Sequence, residues 1–187
     1  MEIPNSLIGE VDEIDQNLLD TFLEPYKENC RYLQSAKFIY PQSTSSDDHQ
    51  QQLPMRDQGI WHATGNFCIP ESCYIVDTGH FNAVEFNICY NQLFYIAIAY
   101  LIKNRLIEIM QDWDLEIYQQ RQLSDFLIAR YSATFKKTIN AKNFRGNLAF
   151  KKYSTRRGLI ILNTEIAFHD QHGGTAQGKV TICVPNH

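Results

Sequence analysis

The apolar positions of the chain predict one long, buried helix. Almost every side chain from Val84 to Ile102 is apolar or aromatic, so a helix here must be enclosed on most sides. Asn82 can cap its start, and Glu85, three residues on, completes a capping box. We therefore predict a helix over 83–103. Its unbroken apolar run, 93–102, is too short to cross a bilayer, and no membrane span is expected.

The remaining apolar pattern predicts extended segments on both sides of this helix. Helical spacing predicts an amphipathic helix over 12–23, stopped before Pro25, and a short helix near 115–118. Alternating or β-rich segments predict extended structure before the long helix and four strands after it. These segments are 31–40, 58–69, 72–77, 123–136, 143–153, 158–168 and 175–184. The order is typical of an α+β fold in which an antiparallel sheet wraps a central helix.

The composition is that of an ordinary globular protein. A chain of 187 residues can bury a hydrophobic core large enough to fold without disulfide bonds or bound metals. Hydrophobic residues at 44% and charged residues at 20% exclude a disordered chain. A formal net charge of −4 argues against a nucleic-acid partner. We expect a single domain over 1–187, with the polar stretch 41–57 as a flexible loop inside it.

The five cysteines argue against disulfide and zinc chemistry. Their number is odd and no C-x-x-C is present, so neither a disulfide framework nor a structural zinc site is expected. A reducing cytoplasm is then the predicted compartment. Buried thiols are expected at Cys68, Cys89 and Cys183, while Cys73 adjoins Tyr74 and could line a pocket.

Common catalytic motifs are missing from the sequence. It contains no G-x-S-x-G, H-E-x-x-H, Walker loop or G-x-G-x-x-G, so no cofactor and no metal are expected. His169, Asp170 and His172 flank a Gly-Gly turn, which favours a polar hairpin tip over a metal site. The N-terminus has no basic patch followed by an apolar run, so no signal peptide is predicted.

Positive charge is concentrated in one stretch. Residues 130–157 hold nine Lys and Arg and no Asp or Glu. Such a stretch could receive a phosphate-bearing partner, either coenzyme A or an acyl carrier protein. The commoner reason for it is the solvated face of antiparallel strands. The sequence leaves both interpretations open.

Polar residues crowd the start of the predicted long helix. They include Tyr74, His80, Asn82, Glu85, Asn87 and Asn91. Buried polar groups are costly unless they are satisfied or used. The helix N-terminus offers N–H groups that could polarise a carbonyl or stabilise an oxyanion. Asn87 and Asn91 share a helix face, and they could line a pocket or bond within a packed interface. Asn82 and Glu85 could also serve only as the cap.

At these residues the sequence resembles the FcoT-like acyl-CoA thioesterases. The resemblance rests on G-H-F-N-A-V-E-F-N-I-C-Y-N-Q-L (79–93), E-S-C-Y-I (71–75) and L-E-P-Y-x-x-x-C-R-Y (23–32). It extends through Q-x-Q-L-S (120–124) to H-G-G-x-A-x-G (172–178). Relative to that pattern, residues 41–57 look like an insertion, which could alter chain length and partner choice if it lies near the pocket mouth.

The resemblance implies a hot-dog fold and a homo-oligomer of dimers, with a trimer of dimers as one form. It implies hydrolysis of long-chain acyl-CoA or acyl-carrier-protein thioesters. The resemblance also implies a second possibility, because family members in isonitrile lipopeptide pathways resemble a different kind of enzyme. Such an enzyme adds glycine to the β-carbon of an α,β-unsaturated acyl group on a carrier protein and then releases the product. The family's pocket residues match Tyr26, Tyr74, Asn82 and Asn91.

Three hypotheses follow: a thioester hydrolase, a glycine-adding enzyme, and a non-catalytic acyl-binding module. For the hydrolase, N–H groups at the helix start polarise the thioester carbonyl and Tyr26 or Tyr74 donates a hydrogen bond, while Asn82 and Asn91 position water or the carbonyl. For the glycine-adding enzyme, the same N–H groups stabilise the enolate oxygen, and a basic patch holds the substrate carboxylate and the carrier protein. His80 and Glu85 are the nearby groups able to take a proton near neutral pH; since Glu85 can be held in the cap, His80 is the better base. The expected substrate contacts are Gly79, Phe81, Ala83, Glu85 and Asn87.

Overall fold

The computed structural model describes residues 10–41, 61–76 and 79–186. The strands are β1 (Val11–Glu13), β2 (Leu33–Ile39), β3 (Trp61–Phe67), β4 (Leu127–Lys137), β5 (Phe144–Arg156), β6 (Leu159–His169) and β7 (Thr175–Pro185). They form one seven-stranded antiparallel sheet in the order β1-β2-β3-β5-β6-β7-β4. The α-helices are α1 (Gln16–Leu23), α2 (Ala83–Lys103) and α3 (Leu115–Arg121).

Helix α2 lies at the centre of the fold, as the apolar pattern predicted. Both halves of the capping box are present at its start, between Asn82 and Glu85. Its aromatic side chains contact the inner face of the sheet, with Phe86 against Phe168 at 4.9 Å and Phe94 against Phe150 at 5.9 Å between ring centroids. The α+β prediction is confirmed, and the wrapped helix is the hot-dog arrangement that the resemblance implied. No helix in the described ranges is both long and apolar enough to span a membrane.

The sheet leaves β4 at its edge. This strand pairs with β7 alone and is exposed along most of its length. Four of its large apolar side chains are exposed to solvent: Leu127, Ile128, Tyr131 and Phe135. Helices α1 and α3 contact one another through Phe22 and Tyr118, whose rings lie 5.1 Å apart.

Several predicted boundaries are wrong for tertiary reasons. Residues 12 and 13 were expected to begin the first helix, but Val11–Glu13 pairs with β2, and α1 begins after its cap Asp15. The segment 72–76 bends instead of forming a strand, and β4 begins only after a turn over 122–125. Most of the predicted 41–57 loop, together with 58–60 and 77–78, lies outside the described residues.

The expectation that the cysteines stay unpaired is wrong. Cys30 and Cys73 form a disulfide, with Cα atoms 5.4 Å apart. The remaining three are free: Cys89 is buried, and Cys68 and Cys183 are only partly so. Burial raises the pKa of the Cys89 thiol well above its ordinary value. The compartment prediction rested on the same premise and stays a prediction.

Loss of this disulfide is expected to destabilise the fold. It closes a loop of 43 residues, for which the chain-entropy relation gives about 4 kcal/mol. We expect Cys73→Ser to lower the free energy of unfolding by about 2–4 kcal/mol, measured by urea denaturation. Wild-type protein in excess reductant should unfold at the same urea concentration as the variant. Cys183→Ser is the control, and an unchanged midpoint for Cys73→Ser would contradict the pairing.

Candidate active site

Asn82 is the organising residue at the start of α2. Its Oδ1 accepts hydrogen bonds from the Tyr74 hydroxyl at 2.8 Å, the Val84 amide at 2.9 Å and the Glu85 amide at 3.3 Å. Three donors on one oxygen fix which way the side-chain amide points. Its Nδ2 makes no hydrogen bond within the part of the chain that the structure describes, so this N–H₂ group is an oriented donor that those residues leave without an acceptor.

Most amides of the first turn of α2 already have acceptors. Asn82 occupies the Val84 and Glu85 amides, and Phe86 N–H donates to the Asn82 carbonyl at 2.8 Å. Among the described residues, Ala83 N–H is the first-turn amide left without an acceptor. The donors at the helix mouth are therefore Ala83 N–H and Asn82 Nδ2. Two such donors suffice for an oxyanion hole.

Tyr74 contacts the start of α2 through its hydroxyl. Either Tyr26 or Tyr74 was expected to donate a hydrogen bond to the substrate, and in the structure the Tyr74 hydroxyl donates to Asn82. The side chain is 46% exposed. Tyr74 thus orients the amide that would meet the substrate.

We expect Tyr74→Phe to slow turnover by about tenfold. The change removes the bond to Asn82 and keeps the ring, and one hydrogen bond of about 1.4 kcal/mol corresponds to that factor. Steady-state kinetics on a thioester substrate gives the measurement, with thermal unfolding as the control for stability. Wild-type rates in a stable variant would rule out the orienting role.

A cleft of about 430 Å³ opens beside the helix mouth. One wall is formed by residues 80–83 and the other by residues 135–139 at the end of β4. Phe81 is buried on its floor and contacts Phe144 at 4.8 Å, while His80 and Lys136 are exposed along its walls. Gly79 precedes this wall with φ of 74°, a conformation that favours glycine.

Glu85 is held in the cap, as the sequence analysis anticipated. It is 3% exposed, and its Oε2 accepts the Asn82 backbone N–H at 3.2 Å. A buried carboxylate engaged in this way is poorly placed to take a proton from a substrate. His80 is the imidazole that lines the cleft, and it is the remaining proton acceptor there.

The other expected pocket residues lie deeper along α2. Asn91 follows Asn82 by nine residues, about 14 Å along a helix. The side chains of Asn87 and Asn91 are half-buried, and neither takes part in a hydrogen bond with any described residue. Tyr26 is largely buried near Cys89 and Tyr95, and burial raises its pKa. The expected residues thus form two groups, one at the helix mouth and one further along the helix.

Two positioning residues were given no role by the sequence analysis. Gln92 is fully buried; its Oε1 accepts from the Tyr32 and Leu33 amides at 3.0 Å, and its Nε2 donates to the Cys30 carbonyl. The Tyr32 hydroxyl accepts the Cys73 amide at 2.9 Å. Together with the disulfide, these bonds fasten the segment that carries Tyr74 to helix α2. Both residues lie in the motifs on which the resemblance rests, so the sequence contained the information needed to single them out.

Comparison with known proteins places the chain in a family. The model of the FcoT-like thioesterase domain matches residues 21–184. A (2E)-enoyl-[ACP] glycyltransferase of Streptomyces coeruleorubidus is 37% identical over 92% of this chain and 98% of its own. One from Mycobacterium marinum is 38% identical over 92% of this chain and 88% of its own.

A solved Staphylococcus aureus protein, in complex with CoA, is similar over 66% of this chain and 70% of its own, with 12% identity and a TM-score of 0.47. The family assignment rests on the sequence match over most of the chain and on the shared identity with the two glycyltransferases. The chain belongs to the FcoT-like thioesterase domain family.

Proposed function

We propose that the protein adds glycine to the β-carbon of a (2E)-enoyl thioester held on a carrier protein. The observation that carries the proposal is that His80, Asn82 and Lys136 line one cleft. A proton acceptor, an oxyanion donor and a cation are the three groups that this addition needs. The names of the relatives support the same reaction.

The cleft residues account for each step of the addition. Asn82 Nδ2 and Ala83 N–H hold the thioester oxygen, and Lys136 holds the glycine carboxylate. His80 takes a proton from the glycine ammonium, and the freed amine attacks the β-carbon. The double-bond electrons move onto the thioester oxygen as an enolate. His80 then returns its proton to the α-carbon, so that a C–N bond forms, the C=C bond becomes single and no group leaves.

The deeper group of residues fits the acyl chain. Asn87 and Asn91 lie on one half-buried face of α2, and Tyr26 lies near Cys89 and Tyr95 of the same helix. We infer that the acyl chain lies along this face, with Asn91 and Tyr26 contacting its far part. Asn91→Ala should then reduce turnover of long chains more than that of crotonyl substrates.

Thioester hydrolysis is the second candidate, favoured by the same two donors. A tetrahedral oxyanion formed by water would occupy the position of the enolate oxygen. In that reaction water bonds to the carbonyl carbon, His80 carries its proton, and the thiolate leaves. Hydrolysis could also follow the addition and release its product.

A single experiment separates these functions. Crotonyl-carrier protein is incubated with the protein, with and without glycine, and the carrier is followed by mass spectrometry. A glycine adduct that depends on the protein supports the proposal. Hydrolysis with no adduct supports the second candidate, and tight binding with neither reaction supports a non-catalytic acyl-binding module.

We also propose that the protein is a homo-oligomer that pairs through β4. This edge strand offers unpaired backbone groups and four exposed apolar side chains, of which Phe135 lines the cleft. A second copy would cover them and close the cleft with its own residues. Light scattering on the purified protein measures the mass, and a monomer at micromolar concentration would rule this out.

A further inference from the structure

We propose that the Cys30–Cys73 disulfide positions Asn82 through Tyr74, and that turnover therefore depends on the redox state of the protein. The disulfide acts through the short segment 71–76, which carries Tyr74 to the start of α2. This inference rests on the proposed function and adds a means of regulating it. Neither cysteine lines the cleft, so the disulfide acts on the site through the residues that it holds.

Cys30 lies on the firmly held side of the disulfide. Its carbonyl accepts a hydrogen bond from Gln92 Nε2 of helix α2, and its backbone N–H donates to the Lys27 carbonyl at 2.8 Å. The amides of Tyr32 and Leu33 donate to the same glutamine at 3.0 Å. Gln92 and Tyr32 are fully buried, so this side of the disulfide is fastened to α2 without help from the S–S bond.

Segment 71–76 is held less firmly. Four of its six side chains are exposed, so little apolar burial keeps it in place. Two hydrogen bonds join it to the rest of the described chain. The Cys73 amide donates to the Tyr32 hydroxyl at 2.9 Å, and the Tyr74 hydroxyl donates to Asn82 Oδ1 at 2.8 Å. The disulfide is the covalent addition to these two bonds.

Breaking the S–S bond is therefore expected to free the segment that carries Tyr74. The bond from Cys73 to the Tyr32 hydroxyl remains, but one neutral hydrogen bond contributes little net free energy. An exposed segment with so few contacts opens locally while the rest of the fold stays intact. Asn82 then keeps its bonds to the helix amides and loses the one from Tyr74, which is the bond that Tyr74→Phe removes.

The opening of the disulfide needs a dithiol as reductant. A thiolate of the reductant attacks one sulfur and displaces the other as a thiolate, and the second thiol of the reductant then resolves the mixed disulfide. Cys30 and Cys73 gain two electrons and two protons, and the reductant leaves as its own disulfide. Both cysteines are partly exposed, which gives the attacking thiolate access.

The test compares oxidised protein with protein that has been reduced by dithiothreitol and then freed of the reductant without air. Turnover of crotonyl-carrier protein with glycine is measured for each, and mass spectrometry after alkylation counts the thiols. We expect reduction to slow the wild type by about tenfold, the factor expected for Tyr74→Phe, and reoxidation to restore the rate. Cys73→Ser should have the slow rate under both conditions.

Cys183→Ser is the matched control for the thiols. Cys183 is partly buried and takes part in no disulfide, so this variant should respond to reduction as the wild type does. An unchanged wild-type rate after complete reduction of the disulfide would overturn the proposal. So would a response to reduction that disappears in Cys183→Ser.

Tyr74→Phe separates positioning from a general loss of stability. Reduction should lower the unfolding temperature of this variant as much as that of the wild type, because both lose the same disulfide. Its rate should change by less than about twofold, since the bond to Asn82 is already absent and the two changes act through one contact. An equal slowing of Tyr74→Phe and the wild type on reduction would show a purely structural disulfide and contradict the proposal.

Hydrogen exchange keeps this test separate from the proposed reaction. If the wild type forms no glycine adduct in either redox state, the proposed function fails, and exchange in segment 71–76 then decides whether the disulfide positions Tyr74. Faster exchange in that segment on reduction, with α2 still protected, supports the positioning role. Equal exchange in the two states contradicts it.

Discussion

Replacing Asn82 by alanine is expected to reduce kcat/KM by about 100- to 1,000-fold, the effect of removing one oxyanion donor. The same change removes the acceptor for the Val84 and Glu85 amides, which costs about 1 kcal/mol of stability as a lost cap. Single-turnover kinetics on crotonyl-carrier protein measures the first effect, and urea denaturation measures the second.

Asn82→Asp separates the two roles. Aspartate caps a helix about as well as asparagine, so the variant should keep its stability and the bond from Tyr74. It lacks the N–H₂ group and should be as slow as Asn82→Ala. An aspartate variant with wild-type rates would show that Asn82 serves only as the cap.

The second large effect is expected for His80→Gln. Loss of a general acid–base group slows a reaction by about 100- to 10,000-fold, and glutamine retains polarity without taking a proton. Added imidazole should restore part of the lost rate in this variant and none in Asn82→Ala, a response that a folding defect would not give.

His172→Gln is the control for His80. His172 is exposed on the hairpin tip, where its backbone groups make the described bonds to Asp170 and Lys137. Its replacement should leave the rate unchanged. If His80→Gln retains wild-type activity, His80 is not the base, and the proton must pass to water or to the partner copy.

The sequence predicted best those features whose signals are local. The bounds of α2 followed from Asn82, Glu85 and the apolar run between its ends, because a capping box needs only four consecutive residues. The alternation of β7 likewise placed Val180, Ile182 and Val184 on the buried face.

Features set by distant residues were missed. Val11–Glu13 forms a strand because β2 lies beside it, and nothing within that segment reveals the neighbour. The disulfide was missed because an odd count shows only that one cysteine lacks a partner; Cys30 and Cys73 meet through the packing of their segments against α2.

The sequence predicted which residues belong to the candidate site better than it predicted what each of them does. The resemblance named Tyr74 and Asn82, and the structure joins them by one hydrogen bond. Which donors remain for a ligand depends on that bond and on the cap, which only coordinates give. Lys136 was one of nine cations in the sequence until β4 placed it in the cleft.

The pairing of β3 with β5 bears on how the chain reaches its native state. It brings Trp61 beside Phe150. The apolar side chains of β3 and of helix α2 therefore stay exposed until the C-terminal third of the chain is present to cover them. Folds dominated by such non-local pairs form in milliseconds to seconds. Apolar segments that are still uncovered during that time are prone to aggregate. Ribosome-bound chains that end before residue 144 should therefore engage chaperones strongly.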